Sequence, residues 1–436
     1  MKFQMKKTAL ALACLAGLGM GEAQAANWLA LQGLERTGQA PRAKLWGFIQ
    51  PEVQYTNGTE LAAGPYAGKP AQFNMIRPDA TSRATFQIRR ARIGVRGQGF
   101  PLDNKTNYFF LAEFGNNGIT VPGGGKSSAK LTDASVTFSH IPHARIRVGQ
   151  FKTPTAEEGL QAIHVFDYIN FTFVTDQLLL ERFFNPSDGT GTAVSGFYDE
   201  YTKPAGSVGA FRDVGVQVFD IVKKGGWEHS YAVMVGNGNG IDRSDIDGKK
   251  DLYLYWSSAQ VYGGKGPRRE DWKLFAWYNT GKRTLYSGQY DRTRAGVGTT
   301  FRKGKYRAAA EYITAEGVIF SGTKGGGRPL DGAPLRVAPE GKANGWYVHG
   351  GYMLLKNLEL DARYDVLHRN TNGGNEERKF SKLTLGAQYF FNKKTRAVIN
   401  YEIRNAEAPN LADTATPNKI LDGMDNVLSL EVLAVF

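Results

Sequence analysis

The chain has 436 residues, 54 Lys+Arg against 41 Asp+Glu for a net charge of +13, and a single cysteine. One cysteine provides no disulfide framework, so burial and hydrogen bonds must hold the fold. Beyond residue 25 there is no run of about 18 apolar residues, which excludes a membrane-spanning helix and leaves water or a barrel in lipid as the environment.

At the N-terminus, Lys2, Lys6 and Lys7 precede an apolar run from Ala9 to Met20, followed by Ala23-Gln24-Ala25. Basic, apolar and small residues in that order predict a secretory signal peptide over residues 1–25, cleaved after Ala25. Cys14 lies inside the run, but Ala11-Leu12-Ala13 match a lipoprotein cleavage box poorly, so no lipid anchor is expected. Cleavage removes three Lys and one Glu, leaving 51 basic against 40 acidic residues and a net +11. From Leu45 to the last residue the chain alternates with period two and has no break resembling a linker. In Leu358–Val366, Leu358, Leu360, Ala362, Tyr364 and Val366 alternate with Glu359, Asp361, Arg363 and Asp365. Arg396–Arg404 repeats the pattern with one exception, Val398.

Alternation between turn signals predicts strands near 44–56, 84–97, 105–115, 129–139, 144–152, 211–222, 227–236 and 250–262. Eight more follow near 271–283, 291–302, 306–316, 343–354, 358–368, 379–391, 396–406 and 425–436. Connections alternate in length. Lys224-Gly225-Gly226, Lys303-Gly304-Lys305, Lys356-Asn357 and Asn392-Lys393-Lys394 are tight turns, while joins at 57–83, 153–210, 317–342 and 407–424 are long. A soluble sandwich has the same local alternation, but an even strand count with loop lengths segregated by side is how outer-membrane barrels are built. The last strand carries Leu428, Leu430, Val432, Ala434 and Phe436 on one phase and ends on an aromatic carboxy-terminus, which resembles their assembly signal. The fold expected is all-β: a 16-stranded antiparallel transmembrane β-barrel over 44–436, in the outer membrane of a Gram-negative bacterium. Residues 26–43, with Trp28, Leu29, Leu31 and Leu34, become a short periplasmic segment, either a short helix or disordered.

Several stretches resemble the phosphate-selective porin O and P family. They are Gly47-Phe48-Ile49-Gln50-Pro51, Phe86 to Val95, Asp133 to Phe138, Val148-Gly149-Gln150-Phe151-Lys152-Thr153-Pro154, and Arg212-Asp213-Val214-Gly215-Val216. The resemblance implies a homotrimeric channel whose third loop folds into the lumen, with arginines and lysines guiding anions. Many members of that family resemble general porins and need not prefer phosphate.

Loop 153–210 is long enough to be functional. It carries Glu157, Glu158, Asp167, Asp176, Glu181, Asp188, Asp199 and Glu200 against Arg182 and Lys203, a net −6, so the rest of the mature chain is +17. Inside a basic wall this acidic constriction loop would set up a transverse field across the pore; the other reading is a solvated external loop. On the wall, Ala91, Ile93 and Val95 facing lipid turn Arg90 and Arg92 inward. Arg89 is out of phase, and a bulge at Arg89-Arg90, with Ile88 also shifted, would bring both arginines to the lumen. Arg145 and Arg147 face in by alternation, and Lys152 joins them as an anion-guiding candidate. An Arg facing lipid at mid-depth would cost about 2–4 kcal/mol. The arginines either guide solutes or brace the wall against Asp133, Glu113 or the acidic loop, and the two roles are compatible.

Other motifs carry little. Gly125-Lys126-Ser127 ends like a phosphate-binding loop, but Thr120 stands where the motif needs Gly. Asp242, Asp245 and Asp247 with Gly248 depart from the EF-hand spacing and read as a solvated turn. His140 and His143 flank a turn and make a poor metal site. The reading is a porin passing small hydrophilic solutes by passive diffusion, with a preference for anions, phosphate among them. It touches outer-membrane lipid, binds no nucleic acid, and uses no cofactor or metal. The alternatives are a structural or adhesive barrel and a barrel-embedded enzyme.

Overall fold

The computed structural model describes residues 27–31, 42–64, 67–69, 84–99, 103–116, 129–180, 197, 199–201, 210–241, 244–245, 247–264, 268–322 and 335–436. The expected signal peptide at 1–25, Gly125-Lys126-Ser127, Glu181 and Asp242 lie outside them. Sixteen antiparallel strands close into a barrel. They are β1 (Lys44–Tyr55), β2 (Ala84–Gln98), β3 (Thr106–Glu113), β4 (Lys130–Phe138), β5 (Arg145–Lys152), β6 (Arg212–Lys224), β7 (Trp227–Gly236) and β8 (Asp251–Gly263). The second half comprises β9 (Glu270–Leu285), β10 (Gly288–Lys303), β11 (Tyr306–Glu316), β12 (Lys342–Leu355), β13 (Leu358–Arg369), β14 (Arg378–Phe390), β15 (Thr395–Glu407) and β16 (Val427–Val435). Each matches its sequence expectation to within a few residues.

Burial is inverted relative to a water-soluble protein. Val297, Trp256, Leu385, Val348 and Tyr401 are each more than 40% exposed on the outer face. Arg90, Arg363, Asp365, Gln388 and Asn400 on the inner face are at most 1% exposed. An apolar exterior around a polar interior suits lipid outside and a lumen within.

Closure joins β1 to β16, from Phe48↔Val435 to Tyr55↔Leu428. The seam is completed by Phe436, whose N–H donates to the Gly47 carbonyl at 3.0 Å. A Cβ on Gly47 would sit 2.4 Å from both the Phe436 ring and the Arg92 carbonyl oxygen, so only glycine lets the terminal ring lie across β1.

Loop lengths segregate less cleanly than expected. β9 and β10 extend toward each other and leave only Tyr286-Ser287 between them on the long-loop side. Loop 153–210 is not structureless either: it contains short helices at Glu157–Leu160 and Phe173–Leu178, and a strand at Asp199–Tyr201. That strand pairs with Leu335–Ala338, which pairs with Ile319–Gly322, so two long loops share a small sheet separate from the barrel.

A closed sheet has no free edge from which to unzip. Unboiled protein should therefore migrate as a compact, heat-modifiable species on a denaturing gel, and Gly47→Val should lower the temperature at which that species disappears. Identical migration of boiled and unboiled wild type would contradict the closed barrel.

Candidate functional site

The lumen is the site, and its character follows from the inward phase of the strands. On β2 the register slips between Gln50 and Pro51 of β1, with Gln50 opposite Arg90 and Pro51 opposite Ile88. Arg89 is the extra residue of this bulge, and Arg89 and Arg90 are both buried while Ile88 stays 50% exposed on the lipid side. The two arginines then differ. Arg89 Nη1 donates to Glu52 Oε2 at 2.9 Å. Among the described residues, Arg90 Nη1 donates only to Gln50 Oε1, at 3.3 Å, and its buried Nε and Nη2 have no partner.

The remaining arginines and lysine proposed from sequence are engaged. Arg92 Nε donates to Glu113 Oε2 at 2.7 Å, and the other oxygen of Glu113 accepts the backbone N–H groups of Ala91 and Gly115. Arg145 pairs with Asp220 at 3.1 Å. Arg147 donates to Thr137 Oγ1 and to the Leu29 carbonyl, and its guanidinium lies 4.5 Å from the Phe219 ring centroid. Lys152 Nζ donates to the carbonyls of Gly159, at 2.9 Å, and Gln161, at 2.5 Å, satisfying the C-terminal end of helix 157–160. Asp133, named above as a bracing partner, is instead held by Arg212 at 2.9 Å.

The described part of loop 153–210 is pinned to the wall opposite the strand it leaves. Glu157 accepts from Lys273 of β9 at 2.6 Å, Glu158 from Arg363 of β13 at 2.9 Å, and Asp167 lies 3.2 Å from Arg307 of β11. Backbone groups follow: Lys382 donates to the Phe171 carbonyl at 2.8 Å, Arg396 to that of Phe166, and Ile169 N–H donates to Asn400 at 2.8 Å. β13 is eight places round the sixteen-strand ring from β5, so these bonds reach the far wall. Of the described acidic residues of the loop, Glu157, Glu158 and Asp167 therefore do not face a free basic wall across water but are in direct contact with its cations. Asp176 is buried within helix 173–178.

Alternation marks Lys273, Arg307 and Arg363 as inward, but nothing local to them in sequence names their partners. Arg307 also contacts Glu359 at 2.6 Å and Asp361, making a junction of one cation with three carboxylates. His140 and His143 do not act together: His140 Nε2 lies 2.6 Å from Asp103 Oδ2 across neighbouring turns. This hydrogen bond, followed by one from the Lys105 N–H, holds the exposed Asp103 carboxyl below its usual range. Asp245 and Asp247 accept N–H bonds from Asp247, Gly248 and Lys249 and so shape their own turn.

The sequence profile of Gram-negative porins matches residues 8–407, most of the chain. The chain belongs to the Gram-negative porin family. It is thus an outer-membrane channel protein, and family and fold point to diffusion rather than to enzymatic catalysis. Among solved structures it is similar to the anion-selective porin from Comamonas acidovorans, with a TM-score of 0.55 and 13% identity over 91% of this chain and 100% of that one. It is also similar to the outer membrane channel DcaP of Acinetobacter baumannii, with a TM-score of 0.53 and 15% identity over 93% of this chain and 100% of that one. At such identities the likeness is one of fold. No curated protein matches the sequence.

Breaking a buried ion pair by removing one partner costs about 3–5 kcal/mol, because the other charge is left unpaired. Glu158→Gln in this porin should therefore release the pinned loop, and limited proteolysis should cut within residues 160–180 of the variant but not of wild type. Replacing both partners, Glu158→Leu with Arg363→Met, should restore most of the protection.

Proposed function

We propose that this porin is exported by cleavage after Ala25, assembles as a homotrimer, and passes small hydrophilic solutes with a modest preference for anions, inorganic phosphate among them. Kinship with the phosphate-selective porin O and P family rests on the stretches around Phe86–Val95 and Val148–Pro154. Loop 153–210 serves as the constriction, and the cationic wall residues set the sign of selectivity.

The observation that carries the anion preference is Arg90. Its guanidinium keeps two buried N–H-bearing nitrogens without a partner and makes no ion pair among the described residues. Arg396 and Lys152 add to it, since they donate to amide and carbonyl oxygens and have no carboxylate in direct contact among the described residues. Fixed positive charge in a low-dielectric tube raises the local anion concentration. Preference stays modest because Glu311 and Asp213 also lie inside with no cation in contact among the described residues, although three donors reach each of them. Salt screens what remains beyond about 8–10 Å.

This separates guidance from bracing, residue by residue. Arg90→Gln should move the reversal potential under a salt gradient toward the cation side, most clearly in dilute salt, and leave the barrel intact. Arg92→Gln orphans the buried Glu113 and should cost about 3 kcal/mol or more in stability. An unchanged reversal potential in a folded Arg90→Gln barrel would count against Arg90 as an anion guide. Deleting part of 183–207, or the pinned segment 157–178, should raise single-channel conductance; unchanged conductance in a folded deletion variant would remove the loop from the constriction.

A further inference from the structure

Residues 27–31, which the channel reading leaves unused, sit inside the barrel. Trp28, Leu29 and Ala30 are 5%, 2% and 6% exposed. Four polar contacts seat them on the lumen: Trp28 Nε1 donates to Glu157 Oε1 at 2.8 Å, Arg147 donates to the Leu29 carbonyl at 3.2 Å, and Asn27 Nδ2 donates to Glu228 Oε1 at 3.1 Å and to Ser230 Oγ. The short helix is thus fixed to the constriction loop and to β5 and β7 together.

Beside the Trp28 indole lies a cavity of about 60 Å³, lined also by Thr300, Arg302, Lys273, Tyr347 and His349. That is room for roughly four water-sized atoms. Arg302 is the penultimate residue of β10, next to the tight turn at 304–305, so the cavity opens near the periplasmic rim. The carboxylates that line it are already engaged: Glu157 by Lys273 at 2.6 Å, Asp167 by Arg307 at 3.2 Å, and Glu158 by Arg363 at 2.9 Å. Asp271, opposite Arg302 in the sheet register, is taken by Arg269 at 2.5 Å. Arg302 makes no ion pair among the described residues. A planar fork of donors without an anion suits a carboxylate, Thr300 adds a hydroxyl on the same inward phase, and the Trp28 ring provides an apolar wall for a short hydrocarbon stem.

We propose that the N-terminal segment completes a binding pocket for a small carboxylate of two or three carbons at the periplasmic exit. Arg302 binds the carboxylate, and Trp28 limits the length of the hydrocarbon stem attached to it. This rests on the reading of the protein as an anion-passing channel. A weak site near the exit concentrates the solute without trapping it, as multi-site conduction requires.

The test is conductance in planar bilayers as a function of concentration, with potassium acetate and potassium chloride as probes, for wild type, Arg302→Gln, Arg302→Lys and Trp28→Ala. In wild type, acetate conductance should saturate at lower concentration than chloride conductance. Arg302→Gln should raise the acetate half-saturation about tenfold, the loss of one charge-assisted hydrogen-bonding partner, with a much smaller effect on chloride. Arg302→Lys keeps the charge without the fork, so it should fall between the two and also serves if the Gln variant fails to fold. Trp28→Ala should weaken acetate and admit benzoate. Wild-type half-saturation for acetate in folded Arg302→Gln and Trp28→Ala barrels would overturn the pocket. So would a wild type that passes chloride while its acetate conductance shows no saturation. A wild type that excludes chloride would overturn the anion reading itself, and the pocket with it.

Discussion

In hydrocarbon no water is available to a free backbone N–H or C=O, so a strand can cross the bilayer only if both of its edges are paired. Everything else in this porin follows from meeting that demand. The first strand must find the last, which places Gly47 beneath the Phe436 ring and leaves no space there for a side chain. An up-and-down sheet closed in this way needs an even number of strands and turns its two faces to opposite solvents. Apolar residues that would form the core of a soluble protein become its surface, and the polar residues become its interior.

That interior then has its own constraint. Charged side chains crowded into a narrow lumen are partly removed from water, and each needs a counter-charge or a set of dipoles. The chain meets this by folding loop residues onto the wall: Glu157, Glu158 and Asp167 answer Lys273, Arg363 and Arg307. Backbone carbonyls of Phe166, Gly159 and Gln161 answer Arg396 and Lys152, while Lys382 has both the Phe171 carbonyl at 2.8 Å and Glu402 at 3.4 Å. Pairing with a carboxylate cancels a charge, whereas pairing with a carbonyl only solvates it. Under the proposed anion preference, the first set of contacts braces the structure, while the second satisfies the donors and leaves positive charge to act on solutes.

The sequence made the first constraint legible and the second only in part. Period-two alternation reports which face a residue takes, so β7 and β11 fall where the pattern places them, and the out-of-phase Arg89 marks the bulge. Alternation says nothing of partners. Arg363 and Glu158 are 205 positions apart, and their contact depends on how a loop folds rather than on any local pattern. The same holds for the small sheet formed by Asp199–Tyr201 with Leu335–Ala338, and for Trp28, whose apolar neighbours suggest a helix without showing that it seats inside the barrel. The net −6 of loop 153–210 is readable, but the pairing of Glu157, Glu158 and Asp167 with wall cations is not, because charge counts carry no geometry.

In the proposed reading, cations solvated by neutral groups outweigh the carboxylates that have no cation in contact, and the pore is positive. That reading is tested most directly by the reversal potential of the purified wild-type channel in a planar bilayer under a potassium chloride gradient at low ionic strength. A potential displaced toward the chloride equilibrium value, and shrinking as salt is raised on both sides, is the predicted result. A potential displaced toward the potassium value would contradict it and make the buried carboxylates the dominant charge in the lumen.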